Sequence, residues 1–207
     1  MSSFTPIQIL GKGSFGEVYL VKRKTNNKLY AMKILSKHMV ARQNISKYVR
    51  TEKNVQSIVK HPFIVRLHCA FQTKARLFMV MDYCGGGDIG HLLQREKRLS
   101  EEVARVYLAE VLLAIEELHS REIIYRDLKP DNVVLDDQGH AMLTDFGLSK
   151  EGVSDSDSTL SFCGSVAYLA PEMLKRSGHG KSVDWYLLGV LLYEMLVGIP
   201  PYFNRNK

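Results

Sequence analysis

Two short stretches set the terms for the whole chain. Residues 125–132 read Tyr-Arg-Asp-Leu-Lys-Pro-Asp-Asn, and residues 144–147 read Thr-Asp-Phe-Gly. The first packs an acid (Asp127), a base (Lys129), a chain stiffener (Pro130) and an amide (Asn132) into a few residues. Proline fixes φ and removes a backbone donor, so such a loop has few shapes open to it. The second stretch adds another acid, Asp145, on a turn ahead of a glycine. A lone Asp-x-Lys fits a polar loop with solvated charges. Two acids, a base and an amide at this spacing are a more specific pattern than either stretch alone.

Length and composition bound the setting. The 207 residues suggest one domain or two small lobes, and 45% apolar with 24% charged residues is ordinary for a globular chain. The net charge of +6 is spread along the chain without a dense basic run, so no nucleic-acid partner is expected. Cys69, Cys84 and Cys163 form no CxxC pair or disulfide framework, which fits a reducing, cytoplasmic or nuclear compartment. The first residues lack the basic and apolar regions of a signal peptide. The longest apolar runs, 111–115 and 187–193, are too short to span a bilayer.

Along the chain, residues 4–35 read as strands, with Ile7, Ile9, Val18 and Leu20 alternating as on a half-buried sheet. Between them lies Gly11-Lys12-Gly13-Ser14-Phe15-Gly16. In dinucleotide-binding folds this glycine pattern opens a helix and is followed by an acid about 20 positions on. Here β-prone residues follow, so the glycines belong to a strand–turn–strand flap whose backbone can approach phosphates. Lys33 sits in a third apolar strand and needs a partner if it points inward. The run 45–59 reads as a helix, and Glu52 on it is the best candidate. After the His61-Pro62-Phe63 break, strands are expected over 64–70 and 76–81. The Gly-rich connector 82–88 marks a lobe boundary. A helix begins after the Ser100 cap, with Val103, Val106, Tyr107, Val111, Ile115 and Leu118 as its apolar stripe. Residues 151–161 are polar and read as a mobile loop with nothing to bury. Residues 182–198 are apolar nearly all round and predict a buried helix that needs cover on every side.

Together these motifs resemble the eukaryotic-type protein kinases over residues 4–204. Tyr125 before Arg-Asp, the run Ser161-Phe162-Cys163-Gly164 and Tyr168-Leu169-Ala170-Pro171-Glu172 are similar to the AGC group, nearest to protein kinase B and ribosomal S6 kinase. The resemblance implies an α+β, bilobal fold with a β-rich N-lobe (1–82) and a helical C-lobe (83–207) that stops short after the buried helix. It implies an ATP-dependent Ser/Thr kinase of signal transduction. The phosphate flap would be Leu10, Gly11, Lys12, Gly13, Ser14, Phe15, Gly16, Glu17 and Val18. Lys33 would hold phosphates and pair with Glu52. Met81 would be the gatekeeper, Asp82 and Cys84 the backbone contacts to adenine, and Val18, Ala31 and Val134 its apolar cover. Asp88 would bind ribose. Asn132 and Asp145 would hold two Mg²⁺ ions. Asp127 would accept the substrate proton and Lys129 would neutralise the γ-phosphate.

The resemblance also implies Arg-containing substrates, received by Asp88, Asp131 and Glu194 with Ser165 nearby, and an upstream kinase acting at Ser161. Four departures stand out. Gln56 occupies a position where the family has an apolar residue packed on the Phe of Asp-Phe-Gly. Tyr48 replaces a His that contacts the phosphorylated segment. Ser165-Val166-Ala167 replaces Thr-Pro-Glu. The chain also ends where relatives continue with further helices, and a longer parent protein is expected.

Overall fold

The computed structural model describes residues 3–13, 16–155, 157–161 and 163–203. Its N-terminal part is a five-stranded antiparallel sheet of β1 (Phe4–Gly13), β2 (Gly16–Arg23), β3 (Leu29–Ser36), β4 (Leu67–Gln72) and β5 (Arg76–Asp82). The strand order is β1-β2-β3-β5-β4. Period-two alternation gives the sheet two faces. On one, Val21, Tyr30, Met32, Phe78 and Val80 form a core. The cross-strand register pairs Val18 with Lys33, Leu20 with Ala31, and Ala31 with Met81, which puts these residues on the other face. β1 is an edge strand, and Ile7 and Ile9 are 51% and 44% exposed. The half-buried alternation expected at those two positions is thereby corrected, since β1 has a neighbour on one side only. The strand expected from residue 64 begins at Leu67, because Ile64 bridges instead to Leu143.

Two helices interrupt the sheet, α1 (Lys37–Arg42) and α2 (Ser46–Ile58). α2 buries only Glu52, Val55 and Gln56 and has no side-chain cap at its start. The sheet ends at Asp82. The rest is mostly helical: α3 (Ile89–Glu96), α4 (Glu101–Ser120), a small hairpin of β6 (Val133–Leu135) and β7 (Ala141–Leu143), α5 (Pro171–Lys175) and α6 (Ser182–Val197). Ser100 caps α4 by accepting from the Val103 amide, and Glu101 and Glu102 fall in the first turn, favourable against the helix dipole. The core stripe of α4 runs through Ala104, Val111, Ala114, Ile115 and Leu118, whereas Val103 and Val106 face solvent. That corrects the first turn of the expected stripe.

Asp88 caps α3, an element absent from the sequence reading, by accepting from the His91 amide at 2.7 Å. α6 ends one residue earlier than expected. Gly198 sits at φ 91°, and a Cβ there would lie 2.1 Å from the Lys97 carbonyl oxygen. The cover that α6 needs is present on one side: Val183, Leu187, Leu191 and Met195 are buried against the core, while Trp185, Tyr193 and Val197 are 41%, 42% and 49% exposed. No helix among the described residues is long and apolar enough to cross a membrane.

Candidate active site

The two signature stretches meet between the sheet and the helical part. Tyr125, Arg126 and Asp127 follow the short segment after α4, and a single 3₁₀ turn, 130–132, starts on Pro130 and delivers Asn132 into β6. The antiparallel pair β6–β7 then sets Val133 opposite Leu143, two residues before Asp145. Arg126 and Asp145 adopt φ of 69° and 55°, unusual for residues with a Cβ. Strain of this kind persists where the surroundings hold it, commonly at functional sites.

Asp127 is 7% exposed. The Lys129 ammonium donates to Oδ2 of Asp127 at 3.1 Å and reaches Ser165 Oγ at 3.4 Å. The Asn132 amide donates at 2.8 Å both to the Asp127 carbonyl and to its Oδ2. Both bonds use Nδ2 and leave the amide oxygen for another ligand. Burial pushes the Asp127 carboxyl above its ordinary range, while Lys129 and Asn132 pull it down. The arrangement is a carboxylate with fixed orientation and one cation beside it.

Lys33 Nζ meets both carboxylate oxygens of Glu52, at 2.6 and 2.8 Å. Burial opposes the Lys33 charge, but Glu52 and Asp145 outweigh it and hold its pKa above the ordinary lysine value. Lys33 on β3, Glu52 on α2 and Asp145 after β7 therefore share one electrostatic environment. Among the described residues no three His, Cys, Asp or Glu side chains group so as to hold a metal by themselves. One Asp and one Asn suit Mg²⁺, which takes few protein ligands and completes its shell with phosphate oxygens and water. The residues present fit that ion beside a bound phosphate.

Val134 packs with Val65, Met81 and Met142 at the foot of the sheet, next to half-buried Cys84. Val18, Ala31 and Met81 share the sheet face that carries Lys33. Asp82 closes β5 and binds His68 Nε2 at 2.6 Å. Of the flap, Leu10, Gly11, Lys12 and Gly13 end β1, and Gly16, Glu17 and Val18 begin β2. Ser14 and Phe15 lie outside the described residues. Gly16 has a structural reason of its own: a Cβ there would sit 2.0 Å from the Ile34 carbonyl oxygen, whereas one on Gly11 would meet nothing within 4 Å among the described residues. Lys12 pairs with Glu17 at 3.4 Å on the exposed hairpin.

The three acids predicted to receive substrate converge. A Cβ on Gly90 would stand 3.0 Å from Asp131 Oδ1 and 3.1 Å from Asp88 Oδ1, so the two carboxylates flank that glycine. Asp131 and Glu194 both line a cavity of about 290 Å³ bounded also by Gly90, Pro130 and Gly198. Asp88 also binds His91 Nδ1 at 2.6 Å, and Glu194 accepts from the Tyr168 hydroxyl at 2.8 Å.

Arg126 donates to Ser161 Oγ and, at 2.8 Å, to the Leu148 carbonyl. The segment expected to have nothing to order it is positioned by its backbone. Thr159 and His179 exchange two hydrogen bonds of 2.9 and 3.0 Å, the Val153 amide bonds the Glu122 carbonyl at 3.0 Å, and Lys181 reaches Asp155 at 2.7 Å. Val153 is buried. That corrects the expectation of an unanchored loop over residues 151–161, because the pairing uses main-chain groups that polarity does not reveal.

A family profile described as a protein kinase domain matches residues 4–207. The chain belongs to the protein kinase family. It is 48% identical over 203 residues to Protein kinase 2 of Dictyostelium discoideum, covering 98% of this chain and 42% of that protein. It is 48% identical over 206 residues to the serine/threonine-protein kinase Sgk3 of Rattus norvegicus, covering 99% of this chain and 42% of the relative. The same identity and length hold for Sgk1 of Xenopus tropicalis, with 99% of this chain and 49% of the relative covered. The chain thus spans less than half the length of these relatives.

The structure adds kinase residues that motif reading passed over. Asp184 on α6 is fully buried and accepts from the Tyr125 amide (2.8 Å), the Arg126 amide (2.7 Å) and His119 Nε2 (2.8 Å). It ties the backbone just before Asp127 to the helical core. Its signal was an acid near the start of a largely apolar run that also holds Glu194. Tyr125 is fully buried, donates to the Thr144 carbonyl at 2.5 Å and sets its ring edge-on to Phe146 at 5.4 Å. The two signature stretches are thereby joined directly.

Proposed function

We propose that the protein transfers the γ-phosphate of ATP to Ser or Thr hydroxyls of other proteins, and does so in signalling. The observation that carries this reading is the buried Asp127 carboxylate, held between Lys129 and Asn132, with Asp145 acting electrostatically both on it and on the Lys33–Glu52 pair. Phosphoryl transfer demands positioning and charge neutralisation more than covalent chemistry. Asp127 orients the acceptor hydroxyl and takes its proton. Lys129 offers positive charge beside it, and Lys33, braced by Glu52, holds phosphate oxygens. Val18, Ala31 and Val134 would cover the adenine, with Met81 and the backbone of Asp82 and Cys84 as its further contacts. Asn132 and Asp145 would hold the Mg²⁺, two ions in this reading. When bound, Mg²⁺ neutralises the charge that develops on the phosphates.

The substrate class we propose is a protein carrying Arg at the third position before the phosphoacceptor. Convergence of Asp88, Asp131 and Glu194 in a chain of net charge +6 supports it, since a planar guanidinium meets carboxylates two bonds at a time. An upstream kinase acts at Ser161, whose hydroxyl already meets Arg126. A phosphate there adds about −1.5 to −2 charges to that contact.

The test is to incubate the intact protein with Mg-ATP and a Ser peptide bearing Arg at that position. Phosphate transfer is expected, and Asp127→Asn should abolish it while Mg-ATP binding persists. Transfer by Asp127→Asn at the wild-type rate would overturn the assignment of Asp127. A preference for acidic or Pro-directed peptides would overturn the substrate reading.

A further inference from the structure

α2 carries one partner of the Lys33–Glu52 pair, yet it has little to hold it down. Of its three buried residues only Val55 is apolar. Its first turn has neither a side-chain cap nor an acid, so its start gains nothing from capping or from the helix dipole. Glu52 and Gln56 are one turn apart and therefore lie on the same face. Gln56 is 2% exposed, and its Nε2 donates to the Val65 carbonyl at 3.3 Å and contacts Met81 Sδ at 3.6 Å. Its Oε1 has no partner among the described residues. The amide orientation follows from chemistry, because exchanging the two ends would set oxygen against the Val65 carbonyl.

Val65 leads to the catalytic strand. Its amide donates to the Leu143 carbonyl at 2.9 Å, and the Leu143 amide donates to the Phe63 carbonyl at 2.9 Å. Leu143 ends β7, two residues before Asp145. One continuous run of hydrogen bonds thus joins the helix bearing Glu52 to the strand that delivers Asp145, and Gln56 is its side-chain link among the described residues.

We propose that Gln56 is a positioning residue: its hydrogen bond to Val65 sets α2 against the β7 strand and so keeps Glu52 on Lys33. This rests on the nucleotide-binding roles of Lys33 and Glu52 argued under Proposed function. In this chain a directional bond replaces the apolar contact expected there, so an apolar side chain is not an improvement. Leucine would remove the unpaired Oε1 but leave the buried Val65 carbonyl without a donor, and the directional bond that positions α2 would be lost.

The test is a double-mutant cycle on the intact protein, read as the dissociation constant for Mg-ATP. Gln56→Leu should weaken binding by about fivefold or more, the lower end of the effect of one unsatisfied buried carbonyl. In a Glu52→Gln background, where the brace on Lys33 is already lost, Gln56→Leu should change binding less than about twofold. Amide exchange gives a second readout in each folded variant. Gln56→Leu should speed exchange across 46–58 and leave α4 unchanged. An equal loss in both backgrounds, or no loss with Glu52 intact, overturns the proposal, as does exchange that rises equally in α2 and α4. Neither readout needs phosphoryl transfer, so a protein that binds Mg-ATP but phosphorylates nothing would overturn the transfer reading and not this one.

Discussion

Replacing Asp184 by Asn should uncouple the catalytic loop from the helical core while keeping the side-chain volume. The aspartate accepts three donors and is fully buried: Oδ1 takes the Arg126 amide at 2.7 Å, and Oδ2 takes the Tyr125 amide and His119 Nε2 at 2.8 Å each. Asparagine offers one oxygen and one NH₂. With its oxygen toward Arg126, the NH₂ opposes the Tyr125 amide; turned round, it opposes the Arg126 amide. Either way one buried backbone donor is left unpaired, at about 1–3 kcal/mol, and the bond that survives loses its charge assistance. Arg126 also holds φ at 69°, a conformation that requires over-determination by its surroundings. We expect Asp184→Asn to lower the unfolding free energy by about 2–4 kcal/mol. Asp184→Ala, which strands every donor, should lose about 3–5 kcal/mol. Urea unfolding measures this, with equal slopes confirming that the variants unfold from comparable states. At a temperature where Asp184→Asn remains folded, kcat should fall more than the affinity for ATP, because Asp127 follows the released backbone directly. A loss below about 0.5 kcal/mol, within the range of ordinary surface substitutions, would refute the reasoning.

Three other outcomes are expected. Burial raises the Asp127 pKa and Lys129 opposes it, so Lys129→Met should move the acid limb of the kcat/KM profile to higher pH; an unmoved limb, measured at saturating Mg-ATP, would contradict that coupling. Gly16→Ala places a Cβ 2.0 Å from the Ile34 carbonyl oxygen and should lower stability by about 1–3 kcal/mol, whereas Gly11→Ala meets nothing and should melt as wild type; equal melting of both would be the contrary result. Hydrogen bonding to Glu110 raises the pKa of His140. A histidine whose folded pKa is raised adds stability below its unfolded pKa of about 6.5 and loses it as pH climbs through the folded value. His140→Asn should therefore flatten the melting temperature between pH 5 and 8, and an unchanged slope would show the pair to be idle.

The parts of this kinase that the sequence made legible are those where chemistry restricts residue type. α2 was bounded almost to the residue, since 45–59 holds no breaker and His61-Pro62 ends it. Asp127, Lys129, Asn132 and Asp145 stood out because two acids, a base and an amide at that spacing are an uncommon combination. α3 went unread because it is eight residues long and follows the Gly-rich connector, although Asp88 ahead of Ile89, Leu92 and Leu93 is a cap before an apolar stripe. The exposure of β1 and of one side of α6 depends on which neighbours an element has, and periodicity alone does not carry that.

Asp184, Gln56 and the segment over 151–161 share a different reason for being hard to read. Each acts on main-chain groups: the amides of Tyr125 and Arg126, the carbonyl of Val65, the paired backbone of Thr159 and His179. Every residue other than proline carries the same donor and acceptor, so the receiving end leaves no mark in the sequence. The sending end leaves one, a polar residue where the surrounding pattern calls for an apolar one. Asp184 interrupts an apolar helix, and Gln56 lies one turn beyond Glu52 on the face that α2 buries. Burying such a group without a partner is penalised by roughly 1–3 kcal/mol. A polar residue at a core position is therefore itself a statement that a backbone group lies within reach. Taken in that direction, both residues point from the helix cores to the loop and strand that hold Asp127 and Asp145.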